Sequence, residues 1–559
     1  MPGGFKTVAR IIKIFYHSGI KKVDAAIGKE NNIKKNATYS VNIKTENNVV
    51  TVYAGGGKSL LDVLRRKGMV VIAPCGGDGI CKKCHVEIEG EGSCLACQYR
   101  IKKDITVVMP SPSQMAILDL TSEYSRKIIN DSGMSLSREG SSVWLQYRNR
   151  GIIRIKKELS DNFSCYGIAL DIGTTTVVLY LIDLFSYRVL DTISFLNPQR
   201  IYGHDVISRI RYCMQDVKYI LQFQQLIIDS ISKSIYAICK KNKIRNDRIF
   251  KITVVGNTTM LHLFLAEDPS SIALAPFTPR FTQAKLLSGT ELHLGINKKA
   301  IVHILPSLSG YIGADIIAGV ASTPMTDEEA YSLFIDIGTN GEIVLGNSKV
   351  IYCCSTAAGP AFEGAAIHDG TGAVEGAISE YHDGHYHTIG NKMPLGICGS
   401  GLVDLVAALL KSGKVDKQGY MAENFLVSAK ADTALGKDII LTPKDIREVQ
   451  LAKAAIYAGI TLLVRIAEIG YEDIRSVFLA GGFGNYMNIA SAMKIGLLPK
   501  ALKDKVYPVG NSAGTGALFA LKSIAFEKYI KKVLKKARYI ELSMRQDFYD
   551  IYMESMHFE

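Results

Sequence analysis

The sequence predicts an α/β chain of several domains: a small strand-rich domain that holds a cysteine cluster, then a large domain built from a duplicated lobe. Three observations predict this. At 559 residues the chain is too long for one core. Five of its 11 cysteines crowd between positions 75 and 97. The runs Asp171-Ile-Gly-Thr-Thr-Thr176 and Asp336-Ile-Gly-Thr-Asn-Gly341 occupy the same strand–turn–strand setting, which is the mark of an internal repeat.

The elements follow in order. Residues 1–37 form a polar, basic N-terminal extension. Tyr39–Lys44 and Val49–Tyr53 alternate apolar and polar residues around Glu46-Asn-Asn48 and read as a hairpin. Ser59 opens a short helix that stops at Gly68. Val70–Ile72 leads into the cysteine loop. His85–Glu89 and Ile105–Met109 read as strands, and Pro110 and Pro112 close a domain at 38–110. Residues 111–164, Ser-rich, charged and weakly periodic, read as a linker or reduced middle segment. From residue 165 to 559 the pattern is long α/β. Gly167–Leu170 pairs with Val177–Ile182, and Leu333–Ile335 pairs with Glu342–Leu345. Ile252–Val255 is a strand ending in the loop Gly256-Asn-Thr-Thr-Met260. Asp445–Ile456 is a helix, and Val477–Ala480 is a strand ending in Gly481-Gly-Phe-Gly484.

The net charge of +13 is concentrated in the N-terminal stretch (Lys6, Arg10, Lys13, Lys21, Lys22, Lys29, Lys34, Lys35) and between Lys528 and Arg538. No recognition motif accompanies it, so an acidic protein partner or solubility is expected rather than nucleic acid. No secretory signal is evident, since Arg10 and Lys13 interrupt the apolar run from Val8 to Tyr16. No stretch reaches the ~18 apolar residues of a membrane span. A reducing, cytoplasmic location is therefore expected.

The cysteines are spaced C-x5-C-x2-C from Cys75 through Cys81 to Cys84, then run on to Cys94 and Cys97. Thiolates at this spacing on a Gly-rich loop suit an iron–sulfur centre. Gly76, Gly77 and Gly79 let backbone N–H groups approach an anionic cluster, and Lys82 and Lys83 add positive charge. The pairs Cys81–Cys84 and Cys94–Cys97 also allow zinc, though that reading leaves Cys75 and its glycines without a purpose.

The two Asp-x-Gly-Thr turns each begin with an acid able to hold hydrated Mg²⁺, and each offers N–H groups and hydroxyls to phosphate oxygens. One such turn is weak evidence. Two of them, followed by Gly481-Gly482-Phe-Gly484 at a strand end where an adenine can lie against backbone, are stronger. Cys353, Cys354 and Cys398 read as packed core thiols, and His85 reads as a surface strand residue.

Residues 38–110 resemble a [2Fe–2S] ferredoxin domain of the β-grasp class, including the stretch Leu95-Ala-Cys97-Gln98. The later residues resemble the actin-like (ribonuclease H-like) ATPase fold shared by actin, hexokinase and the heat-shock chaperones, the ASKHA fold. Asn197-Pro-Gln199, Asp205–Arg209, Gly256–Met260, Ser355–Gly364, Ile397–Gly401 and Asp445–Lys453 narrow the resemblance to the reductive activators of corrinoid proteins. Two departures stand out: the middle segment is short, and Thr371 takes a place where that family often has Met.

The resemblance implies Cys75, Cys81, Cys84 and Cys97 as ligands of a [2Fe–2S] cluster, with Cys94 a bystander. It implies ATP and Mg²⁺ in the cleft, Asp171 and Asp336 positioning the metal, and Gly173, Thr174, Thr175, Gly338, Thr339, Asn340 and Gly341 holding phosphates. Gly481, Gly482 and Gly484 would face the adenine, and Asn257 and Thr258 the γ-phosphate or its attacking water. The implied activity is an ATP-driven one-electron reduction of inactive Co(II) to Co(I) in a corrinoid protein of a methyltransferase system, fed by an upstream cellular electron donor. Each ~59 mV uphill costs about 1.4 kcal/mol, so a cluster near roughly −400 mV needs such a drive. The oligomeric state is left open, a homodimer included. Two other classes remain: an activator of a dehydratase or reductase, against which the appended cysteine domain argues, and a non-catalytic nucleotide-binding redox sensor. Stimulation of ATPase activity by a corrinoid protein would separate the last from an activator. A sugar kinase needs a phosphoacceptor base, and none is found.

Overall fold

The computed structural model describes residues 38–45, 48–67, 69, 71, 84–109, 124–139, 142–155 and 163–559. The basic extension, the stop at Gly68, Val70 and Ile72 of the stretch leading into the cysteine loop, and the part of that loop bearing Cys75 and Cys81 lie outside these residues. Two compact units divide the chain, 1–69 with 84–111 and 70–83 with 112–559.

In the first unit β1 (Thr38–Thr45) and β2 (Asn48–Gly55) form the expected hairpin. Helix α1 (Leu60–Arg66) follows, then β3 (His85–Ile88), β4 (Gly92–Leu95) and β5 (Ile105–Val108). The sheet order is β2-β1-β5-β3-β4, with β1 and β5 parallel. Val41 and Ile43 on β1, Ile105 and Val107 on β5, and Leu60, Leu61 and Leu64 on α1 are buried. Ser59 stands at the start of α1 but does not cap it. Its hydroxyl donates instead to the carbonyls of Ala96 and Cys97, both at 3.4 Å.

The second unit begins with a three-stranded meander, β6 (Met134–Glu139), β7 (Ser142–Tyr147) and β8 (Arg150–Ile155), inside the segment that reads as linker. Arg148 and Asn149 both take positive φ, as a tight hairpin turn requires.

The first lobe holds β9 (Tyr166–Ile172), β10 (Thr176–Asp183), β11 (Val189–Leu196), α2 (Val206–Gln215), α3 (Lys218–Lys241) and β12 (Ile249–Gly256). It continues with α4 (Thr258–Phe264), β13 (Lys285–Ser288), β14 (Ile301–Ile304) and α5 (Ala314–Ser322). The second lobe opens with β15 (Tyr331–Ile337), β16 (Gly341–Gly346) and β17 (Ile351–Thr356). A smaller layer follows: β18 (Ala377–His382), β19 (His385–Thr388), β20 (Gly396–Ile397), α6 (Gly399–Lys411), β21 (Phe425–Ser428) and β22 (Ile439–Leu441). Then come α7 (Pro443–Ile466), β23 (Ile474–Ala480), α8 (Gly481–Tyr486), α9 (Ile489–Lys494), β24 (Val506–Gly510), α10 (Ser512–Lys522), α11 (Glu527–Lys536), β25 (Ala537–Tyr539) and α12 (Gln546–Glu554).

The two main sheets repeat one plan. Their orders are β11-β10-β9-β12-β14-β13 and β24-β23-β15-β16-β17-β25. In each, three antiparallel strands precede two parallel ones, which join on the first strand of the meander. The duplication expected from the Asp-x-Gly-Thr runs is thus the repeat of a whole lobe. Helix α7 is long and apolar enough to cross a membrane, contrary to the expectation that no stretch is. However, 72% of its apolar window is buried, which makes it a core helix. Its start is set by Pro443 and by a reciprocal cap between Thr442 and Asp445.

Helices α5 and α10, each following the last parallel strand of its sheet, meet nearly backbone to backbone. A Cβ on Gly516 would fall 2.4 Å from the Ala318 carbonyl oxygen. The chain ahead of the meander fastens to the C-terminal ends of both. The Arg126 N–H donates to Ser322 O, and its guanidinium reaches the carbonyls of Ala321 and Thr323. The Asp131 N–H donates to Lys522 O, and Lys251, fully buried, donates to Ser132 O and Leu521 O.

Candidate functional site

Both Asp-x-Gly-Thr turns open into one cleft of about 590 Å³ between the lobes. The first turn is held from behind. The Asn197 amide donates to Gly173 O at 2.8 Å, and the buried Arg209 guanidinium donates to Thr174 O at 2.5 Å. Asn257 caps α4 by accepting from Met260 N at 2.9 Å, and its amide donates to Thr174 Oγ1 at 2.8 Å. The loop expected at 256–260 is therefore a strand end followed directly by a helix.

Six carboxylates face this cleft: Asp171, Asp315, Asp336, Glu342, Glu363 and Glu380. Burial pushes Asp171 up to about 6, with a bond from Asn511 pulling it back. Burial pushes Asp336 up to about 7, aided by the charges of Asp171 and Glu363. Asp315 rises to about 8, mainly through burial, with Asp171 and Asp336 adding to it. Glu342 is driven well above the carboxylate range by burial and then by Asp336 and Asp315. Such mutual repulsion is what a bound cation relieves. Among the described residues no three His, Cys, Asp or Glu side chains converge as a ready-made ligand set.

Asn511 joins three elements. Its amide donates to Asp171 Oδ2 at 2.9 Å and to the Tyr180 hydroxyl at 3.1 Å, and its carbonyl oxygen caps α10 through Gly514 N at 2.8 Å. Gly481 has φ +85°, and a Cβ there would meet Asp336 Oδ1 at 2.7 Å. Phe362 and Phe483 stack with centroids 4.9 Å apart.

Of the residues read from sequence, Asp171, Gly173, Thr174, Thr175, Asn257, Asp336, Gly338, Thr339, Asn340, Gly481 and Gly482 line the cleft. Thr258, Gly341 and Gly484 do not. The Thr258 hydroxyl donates to Ser309 O at 2.6 Å. Gly341 lies against Ile456 and Thr356, and Gly484 against Leu479. Sequence reading missed Asp315, Glu342, Glu363 and Asn511. A strand followed by Asn511-Ser-Ala-Gly-Thr-Gly516 is a capped, small-residue helix start that was there to be read.

In the first unit Cys84 and Cys97 come together in the interior. The Cys97 N–H points at Cys84 Sγ at 3.4 Å, and Ala96 N donates to Cys84 O at 2.8 Å. Cys94 is half-buried on β4, opposite Val86. Two buried cysteines, with the Cys97 N–H directed at Cys84 Sγ, fit two ligands of an iron–sulfur cluster. Cys353, Cys354 and Cys398 are buried, and His85 is exposed on its strand.

The fold and the cleft define the ASKHA class of two-lobed ATPase folds. The family described as "C-terminal domain of RACo the ASKHA domain" matches residues 330–559, and "RACo middle region" matches residues 166–328. The "Corrinoid activation enzyme RamQ" of Eubacterium limosum is 33% identical over 89% of this chain and 95% of its own length. The "[Co(II) methylated amine-specific corrinoid protein] reductase" of Methanosarcina barkeri is 27% identical over 62% of this chain and 68% of its own. The solved structure of a "Reductive activator for corrinoid,iron-sulfur protein" shares 30% identity and a TM-score of 0.72, covering 93% of this chain and 98% of that one. The chain belongs to the RACo family of corrinoid-activating proteins.

Proposed function

We propose that this protein is an ATP-dependent reductive activator that passes one electron to a corrinoid protein of a methyltransferase system and converts inactive Co(II) to Co(I). The observation that carries the reading is the match, over nearly the full length of both chains, to a corrinoid activation enzyme. The cleft supports it, because both acid-led turns face one space.

The first unit is read as a β-grasp ferredoxin module in which Cys75, Cys81, Cys84 and Cys97 would hold a [2Fe–2S] cluster. When bound, that cluster supplies a one-electron carrier, filled by an upstream cellular donor. Asp171 and Asp336 would hold Mg²⁺ through its waters. Gly173, Thr174, Thr175, Gly338, Thr339 and Asn340 would grip phosphates, and Gly481 and Gly482 would present bare backbone to the adenine. Gripping one nucleotide from both lobes favours their closure, so ATP biases a two-state element that a docked partner can read.

The test has two arms. Reduced protein is examined by EPR, iron and acid-labile sulfide analysis, and Co(I) formation on a Co(II) corrinoid protein is followed spectroscopically with and without MgATP. An iron–sulfur signal and ATP-dependent Co(I) are expected. Zinc without iron or sulfide, or Co(I) yields indifferent to ATP, would overturn the reading.

A further inference from the structure

Glu363 stands where the two turns meet. Its carboxylate accepts from Thr175 Oγ1 of the first turn at 3.2 Å and 3.3 Å, and from Thr339 Oγ1 of the second at 2.8 Å. It is thus a side chain to which both lobes' turns donate. We propose that Glu363 accepts the proton of the water that attacks the terminal phosphate of ATP. This rests on the reading that ATP occupies the cleft.

Three observations support the assignment. First, the carboxylate lies beside both hydroxyls that would hold the transferred phosphoryl group, so an attacking water falls within its reach. Second, it is mounted rigidly. Glu363 ends the short helical turn Pro360–Glu363, its neighbour Phe362 stacks on Phe483, and Gly364 follows at φ +74°, where a Cβ would meet the Thr371 carbonyl oxygen at 2.3 Å. A base must be held this firmly to act on one water. Third, neighbouring acids are engaged otherwise. Asn511 donates to Asp171, Ser355 to Glu342, and the Ile316 N–H to Asp315. The charge of Arg200 faces Glu363, and the Arg200 Nε is buried without a hydrogen-bond partner among the described residues. Burial raises Glu363 above the ordinary carboxylate range, toward the basicity that proton removal near neutrality needs, against the lowering pull of the Thr339 and Thr175 hydroxyls and of the Arg200 and Arg209 charges.

The step balances. The water oxygen bonds to the γ-phosphorus while the bond from that phosphorus to the β,γ-bridging oxygen breaks. ADP leaves with the electron pair, and the water's proton passes to Glu363 and then to solvent.

Glu363→Gln keeps an oxygen for both threonine hydroxyls but is no base. In the full chain, single-turnover hydrolysis of MgATP is expected to fall about 100- to 10,000-fold. MgATP affinity by calorimetry and the thermal midpoint should stay near the parent's. Glu363→Asp retains the base and should hydrolyse clearly faster than Glu363→Gln. A Glu363→Gln rate near the parent's, affinity and rate lost together, or Asp and Gln variants of equal rate would each overturn the proposal. If instead the parent neither binds nor hydrolyses MgATP, it is the ATPase reading that fails, not the assignment of Glu363 alone.

Discussion

Replacing Asn511 by Asp should shift the pH range over which the cleft binds MgATP. The side chain has two jobs: its oxygen caps α10 through Gly514 N, and its amide donates to Asp171 at 2.9 Å. Asp is as good a cap as Asn, so the helix start survives. The donor to Asp171, however, becomes a second carboxylate. Two like charges about 4 Å apart repel by about 1 kcal/mol in water and about 4 kcal/mol at the effective dielectric of a protein surface. The lost bond to a charged group adds about 1.5–3 kcal/mol. Each ~1.4 kcal/mol moves a titration about tenfold. Asp171 already sits at about 6 because of burial, so roughly 3 kcal/mol carries it from mostly ionised to mostly protonated at pH 7. The charged form is the one that can hold Mg²⁺, so binding is lost as pH falls through this value. Calorimetry should find parent affinity weakening below about pH 6, and that of Asn511→Asp already weakening below about pH 8, with about a tenfold or greater deficit at pH 7. Asn511→Ala should lose the cap as well, at about 1 kcal/mol of stability. If Asn511→Asp matches the parent across this range, Asp171 does not serve the metal.

Other outcomes are as definite. Gly481→Ala places a Cβ 2.7 Å from Asp336 Oδ1 at φ +85°, so it should lower unfolding free energy by about 1–3 kcal/mol in urea titrations and weaken MgATP binding. Asp315, raised by burial to about 8 from the usual 3.8, contributes stability that is fully present below about pH 4 and is lost as pH rises from there through about 8. Asp315→Asn should therefore gain on the parent progressively across that window and exceed it by about 1 kcal/mol or more at pH 8.5, in urea without nucleotide. Lys251→Ala leaves the carbonyls of Ser132 and Leu521 without their buried donor and should destabilise the second unit by about 2–4 kcal/mol, read by the same titration.

The paired lobes were legible because Val, Ile and Leu runs flank each Asp-x-Gly-Thr turn, and a buried strand needs such runs on both faces. The β6–β8 meander was not. Ser137, Arg138, Gln146 and Arg154 interrupt its apolar positions, and its alternation looks like a polar linker. In the site, residues adjacent to the turns could be read, whereas those brought in by folding could not. Glu363 and Thr175 are 188 positions apart, and Asn511 and Asp171 are 340 apart. Thr258 shows the opposite failure: it belongs to a telling run, but its hydroxyl turns to Ser309 O rather than the cleft.

The knot at the ends of α5 and α10 pins both helices to one short stretch of chain. Arg126 grips the carbonyls that finish one helix and Asp131 those that finish the other. The five peptide units between them can stretch to at most about 18 Å. That short span ties together the ends of two helices that Gly516 and Ala318 already hold backbone to backbone. Cutting it should loosen the packing of the pair.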